Sequence, residues 1–118
     1  MFDRNNRPAV GNLLTIQKGF VKSVSEAWAK LPSVQRNIAE RNGIHFLHDG
    51  DKFVVTPANP QHYDDNFVCK LVCVSSQFKE CIGFELAMFE YQEIPSGNHN
   101  NLNYIHLAKY LKLEHESI

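Results

Sequence analysis

A chain of 118 residues, 43% hydrophobic and 21% charged, is long enough to bury most of its unfolded surface in one core and too apolar for wholesale disorder. Its net charge of −1 lacks the strong basic excess of a dedicated nucleic-acid binder. No apolar run approaches the ~20 residues that span a bilayer, and the opening MFDRNNRPAVGN has no leader-like apolar stretch, so a cytoplasmic single domain over residues 1–118 is expected.

A polar N-terminal arm, residues 1–11, comes first. Leu13, Leu14, Phe20, Val21, Val24, Ala27, Trp28 and Leu31 then recur at helical spacing, with Asn12 as N-cap and Pro32 as stop. Gly19 reads as a weak point inside that helix. A shorter second helix is expected from Ser33, with Val34 and Ile38 inward and Asn42-Gly43 as its end. Lys18, Lys22, Lys30, Arg36 and Arg41 read as the wet side of these helices.

Asp49-Gly50 is a two-residue hairpin signal. It would pair His48 with Asp51, Phe46 with Phe53 and Ile44 with Val55. Next, NFVCKLVCVSSQFKECIGFELAMFEYQEI (residues 66–94) reads as two apolar strands joined by a turn at Ser76–Lys79. The first of these strands is apolar on both faces, which predicts burial of both Leu71 and Val72. Residues 82–91 also fit a helix, but a strand is favoured because the preceding run needs a close partner. Tyr104, Leu107, Ala108 and Leu111 then form the apolar face of a last helix. The expected fold is α+β: two N-terminal helices, a four-stranded antiparallel meander sheet and a C-terminal helix.

Chemical motifs are scarce. The spacing of Cys69, Cys73 and Cys81 matches no zinc pattern, and Cys69 and Cys73 would stand about 13 Å apart along one strand, too far for a disulfide. They read as buried free thiols. His45 and His48 point to opposite faces of a strand, and the remaining histidines share no ligand spacing, so neither a metal nor another cofactor is expected. There is no nucleophile elbow, Walker loop or dinucleotide fingerprint, and no catalytic residue is assigned.

Recognition features are clearer. The loop around His62, Tyr63, Asp64 and Asp65 is stiffened by prolines, and Glu80, Glu85, Glu90 and Glu93 add an acidic rim beside Phe84, Phe89 and Tyr91. These residues suggest a non-catalytic protein-binding module: a small inhibitor, an immunity protein or a phage-encoded antagonist. Its partner would be a protein with a basic patch, neither a membrane nor a nucleic acid, and a homo-oligomer stays open. The alternative is a small metal-independent hydrolase or ribonuclease using histidine acid–base chemistry. A third reading is a small-molecule site lined by Phe20, Trp28, Phe46 and Phe84.

Overall fold

The structure is a computed structural model that describes residues 1–30, 47–59, 66–90 and 101–117. The expected meander flanked by helices is wrong. Among the described residues the chain forms one six-stranded mixed sheet with two short helices. In chain order these are β1 (Leu13–Ile16), α1 (Phe20–Ala29), β2 (Lys52–Thr56), β3 (Phe67–Ser75), β4 (Glu85–Phe89), β5 (Asn101–Asn103), α2 (Tyr104–Leu107) and β6 (Leu111–His115). The strands lie in the order β5-β4-β3-β2-β1-β6, and only β4 with β5 is parallel.

The expected first helix splits at Gly19. Leu14 and Ile16 alternate into the core as a strand, and the chain turns at Gly19, with φ at +103°, before helix α1 begins. A Cβ at Gly19 would stand 2.9 Å from Tyr110 Cε1. Glycine here is therefore a boundary set by backbone conformation and close approach, not a weak point within a helix. Asn12 caps no helix. Its side chain accepts from the Ala9 N–H at 2.9 Å and donates to the Glu116 carbonyl at 2.7 Å, tying the two ends of the chain together. The second expected helix, from Ser33, lies outside the described residues.

The C-terminal helix is also shorter than expected. Asn103 caps α2, its Oδ1 accepting from the His106 N–H at 3.1 Å, and Tyr104, Leu107 and Ala108 are buried as its periodicity requires. After a 3-10 turn at Ala108–Tyr110, Leu111 leaves the helical path and lies across from Ile16 in β6. The alternation of Leu111, Lys112, Leu113 and Glu114 suits a strand that uses the open edge of β1.

The Asp49-Gly50 turn exists, with Gly50 at φ +91° and the Asp51 N–H donating to the His48 carbonyl at 3.2 Å. In β2, Phe53 is flanked by Leu14 on β1 and Cys73 on β3. The expected partners across the turn, Ile44 and Phe46, lie outside the described residues, as does His45.

Residues 85–89 form the favoured strand. The strand with both faces covered, however, is β4 and not β3. Leu86, Ala87, Met88 and Phe89 are all buried, whereas β3 buries Cys69, Leu71 and Cys73 on one face and leaves Val68, Lys70 and Val72 half-buried and Val74 exposed on the other. The core lies on the first of these faces, where Leu14, Ile16, Phe53, Leu71, Leu86, Met88 and Leu102 meet Phe20, Val24, Tyr104 and Leu107. Lys52, Thr15, Lys112 and Glu114 line the opposite face of β2, β1 and β6. There Thr15 donates to Glu114 at 2.9 Å, and Lys52 lies 2.8 Å from the Thr15 hydroxyl.

The polar arm is anchored rather than loose. Phe2 joins the core, the Tyr104 hydroxyl donates to the Asp3 carbonyl at 2.8 Å, and Asp3 Oδ1 accepts the N–H groups of Asn5 and Asn6. Arg4 and Arg7 both engage the Glu90 carboxylate, Arg4 at 2.6 Å. The hydrogen bond from Arg4, reinforced by both guanidinium charges and opposed by partial desolvation, holds the Glu90 carboxyl below its ordinary 4.5. A depressed folded value means the clamp is complete above pH 4.5 and is lost as pH falls through the lowered value. Amide protection of residues 2–9 should therefore fall selectively in acid, before global unfolding, and Glu90→Gln should reproduce that loss at neutral pH. Hydrogen exchange read by NMR checks both.

Candidate functional site

Chemically distinctive side chains gather at one end of the sheet, where the turn at residues 47–51 meets the β3–β4 connection. That connection is longer and better ordered by hydrogen bonds than a four-residue turn. Ser76 Oγ accepts from the Phe78 N–H at 3.1 Å, and a 3-10 turn follows at Lys79–Cys81. Its close is secured by Gly83 N–H to the Cys73 carbonyl and Cys73 N–H to the Phe84 carbonyl, both at 2.8 Å. Gly83 stands at φ +95°, the conformation that lets the chain re-enter the sheet as β4. Cys81 points inward and is 1% exposed, anchoring the loop.

This scaffold presents apolar side chains to solvent. Phe78 is 40% exposed, Ile82 52% and Val74 45%. Single exposed apolar residues are ordinary, but three within nine residues of one braced connection are a feature to explain. Glu80 lies exposed within the connection and Glu85 exposed at its end, where β4 begins and where Glu85 lies 3.1 Å from Lys70.

Behind Phe78 lies a half-buried polar cluster. The His48 ring packs on Phe78 with centroids 4.3 Å apart. His48 Nδ1 is 3.6 Å from Asp51 Oδ2 and 3.7 Å from Cys81 Sγ. The expected His48–Asp51 pair is thus present, but its carboxylate is buried: Asp51 is 2% exposed, and among the described residues its Oδ2 makes no hydrogen bond. One ring nitrogen cannot donate to both neighbours at once, so the arrangement differs from a relay in which the two imidazole nitrogens serve different partners.

The thiols are poorly suited to nucleophilic work. Burial pushes the Cys69 thiol up to about 12, partly offset by Arg7. Burial also raises Cys73 and Cys81, and the Asp51 carboxylate adds to both. All three cysteines are free and buried, and a raised pKa keeps them as inert thiols near neutrality.

The remaining histidines are dispersed. His106 Nε2 lies 2.6 Å from Ser23 Oγ, joining α2 to α1, and His115 Nδ1 accepts from the Ser117 N–H at 3.1 Å. His45, His62 and His99 lie outside the described residues. Among the described residues, no three His, Cys, Asp or Glu side chains converge to hold a metal ion.

Of the residues expected to contact a partner, His62, Tyr63, Asp64, Asp65 and Glu93 lie outside the described residues. Glu85 is exposed next to the β3–β4 connection. Glu90 is held by Arg4 and Arg7, so its carboxylate serves the arm. The expected small-molecule space is only partly described: Phe20 is packed in the core and Phe84 is half-buried against it, while Phe46 and the Trp28 side chain lie outside the description. Sequence reasoning assigned Phe78 to a polar turn and left Ile82 inside an ambiguous strand. The available signal was an aromatic residue within SSQFKE, a segment otherwise polar. No helix among the described residues is long and apolar enough to cross a membrane. No family model matches the chain, and neither a curated protein nor a solved structure matches it.

Proposed function

We propose that the chain is a non-catalytic protein-binding module that docks through the β3–β4 connection, in the manner of a small inhibitor, immunity protein or antagonist. The observation that carries this is the exposure of Phe78 and Ile82 on a connection braced at both ends by backbone hydrogen bonds. A pre-ordered apolar tip loses little conformational entropy on binding, and an aromatic anchor in a partner's pocket supplies most of the affinity. Glu80 and Glu85 beside the tip suit a partner with a basic patch, and their charges would act mainly on the rate of encounter. The loop at His62–Asp65 and Glu93 belong to the same proposal as further contacts.

Phe78→Ser should weaken binding to a captured partner by about 30-fold or more, the effect of losing an anchor worth ~2 kcal/mol. Thermal stability should change little, because Phe78 is 40% exposed. Calorimetric titration beside a melting curve separates the two effects. Unchanged affinity in a folded Phe78→Ser variant would refute the tip as the docking element.

The hydrolase or ribonuclease alternative draws on one observation, the proximity of His48 to a buried carboxylate with an unbonded oxygen. It requires substrate turnover by the purified chain that is lost in His48→Ala. The cluster lies behind Phe78 rather than in an open cleft, which favours a structural role in fixing the tip.

A further inference from the structure

Strand β6 forms one border of the sheet, and among the described residues no strand pairs with its outer edge. The direction of its backbone groups follows from β1. Ile16, which faces Leu111, donates its N–H to the Asp51 carbonyl at 2.9 Å and accepts the Gly50 N–H at 2.7 Å, on the side away from β6. One step further, the Gln17 N–H donates to the Tyr110 carbonyl at 2.7 Å. Bonded and non-bonded pairs alternate along an antiparallel ladder, so the Lys112 backbone turns toward Thr15, and the N–H and carbonyl of Leu113 point outward. Such outward groups are a template for another strand.

The side chains at this edge are sorted by face. Leu111 and Leu113 line a cavity of about 610 Å³ together with Phe2, and Leu113 is still 39% exposed. Lys112 and Glu114 lie on the opposite face, with Thr15 and Lys52. Lys112 reaches Glu114 only at 3.7 Å, and more than half of its side chain is exposed. A lysine and a bulge are common means of blunting an edge, and both occur here. The ladder shifts past Leu113, since Leu14 faces Leu113 but Leu13 faces His115. That bulge limits the usable edge to residues 111–114. Within it, the lysine has a carboxylate two residues away, and this spacing makes the strand complementary to itself.

We propose that β6 pairs antiparallel with β6 of a second copy, about a two-fold axis at Leu113. This register sets Leu113 opposite Leu113 of the second copy, joined by two backbone hydrogen bonds. It also sets Lys112 opposite Glu114 of the second copy on both sides of the axis. Sliding the copies by two residues either way would oppose Lys112 to Lys112 or Glu114 to Glu114, so charge selects the register. The interface is isologous and joins the two sheets into one. It shares no residue with the tip at Phe78, and the inference stands apart from the docking proposal.

Sedimentation equilibrium of the full chain up to about 1 mM is the test, since so short an edge gives a weak dimer. The mass should rise with concentration toward twice the 13.5 kDa of one chain, and the Leu113 amide should gain protection from exchange over the same range. Lys112→Glu alone should weaken dimerisation by about tenfold or more, because both cross-strand pairs become repulsive. Glu114→Lys alone should do the same. An equimolar mixture of these two variants should associate again, as each carries the charge the other lacks. Leu113→Pro removes the outward N–H donor without touching a bond to β1, and should leave a folded monomer. It serves should Glu114→Lys fail to fold on losing its contact with Thr15. A chain that stays monomeric throughout, a dimer unaffected by Lys112→Glu or Leu113→Pro, or folded variants that do not recover association when mixed would overturn the proposal. So would a dimer that is lost in Phe78→Ser.

Discussion

Leu71→Ala should lower unfolding free energy by ~2–5 kcal/mol, the range for truncating a fully buried aliphatic side chain. Leu71 is 0% exposed and lies between Val55 and Leu86 on the core face of the sheet. Its neighbour Val72 should behave differently. Val72 is half-buried on the other face, beside Val54 and across from Glu85. Val72→Lys should therefore cost about 1 kcal/mol or less, since it removes little buried surface and places a cation opposite a carboxylate. Urea unfolding of the two variants gives the comparison. A strand covered on both faces would instead make Val72→Lys the more damaging change, because it would bury an unpaired charge. Equal, severe loss in both variants would contradict the one-sided packing of β3.

Gly19→Ala should be the most damaging small substitution outside the core. Two costs combine there. A side chain at φ +103° is strained by ~1–2 kcal/mol, and the new Cβ would meet the Tyr110 ring at 2.9 Å. Tyr110 has little freedom to yield, since it packs edge-on against buried Phe20, with ring centroids 6.4 Å apart, and its carbonyl accepts from the Gln17 N–H at 2.7 Å. A loss of about 2 kcal/mol or more is expected by denaturant unfolding. A double-mutant cycle with Tyr110→Ala separates the costs. The steric part should vanish with the ring and the backbone part should persist. Stability unchanged by Gly19→Ala would mean that the helix runs through position 19, as its apolar spacing alone suggests.

That spacing shows why part of the fold was legible and part was not. Leu13, Leu14, Phe20, Val21 and Val24 satisfy a helical period, and Leu14 and Ile16 equally satisfy a strand. Four residues are too few for periodicity to decide between them. The deciding interaction is with Leu111 and Leu113, almost a hundred residues later, and no local pattern reports such a partner. The same holds at the other end of the chain: Tyr104, Leu107 and Ala108 are buried as the helical reading requires, but the strand that follows depends on the open edge of β1. The β3 and β4 pairing was legible because it is local, two long apolar runs with a short connection. Which of the two is buried on both faces was not, since Val68, Val72 and Val74 read as core by composition alone.

The candidate site was less visible still. Phe78 reads as part of a polar turn and Ile82 as part of an apolar run, and only the backbone path of the connection brings both to solvent. Glu90 shows the reverse problem. Its charge suggested a partner, and the structure spends it on Arg4 and Arg7 from the arm. The His48–Asp51 pair was legible from the turn, whereas the burial of Asp51 depends on its backbone joining Ile16 in β1, which the sequence does not announce.

The docking claim is tested most directly by site-specific photo-cross-linking in the native host. A photoreactive amino acid is placed at Phe78, at Ile82, and at Lys22 as a control on the exposed side of α1. Positions 78 and 82 should yield the same discrete protein adduct, absent from position 22 and diminished when Glu80→Lys and Glu85→Lys are introduced together. Folded protein that gives no adduct from 78 or 82, or the same adduct in equal yield from position 22, would contradict docking through the β3–β4 connection.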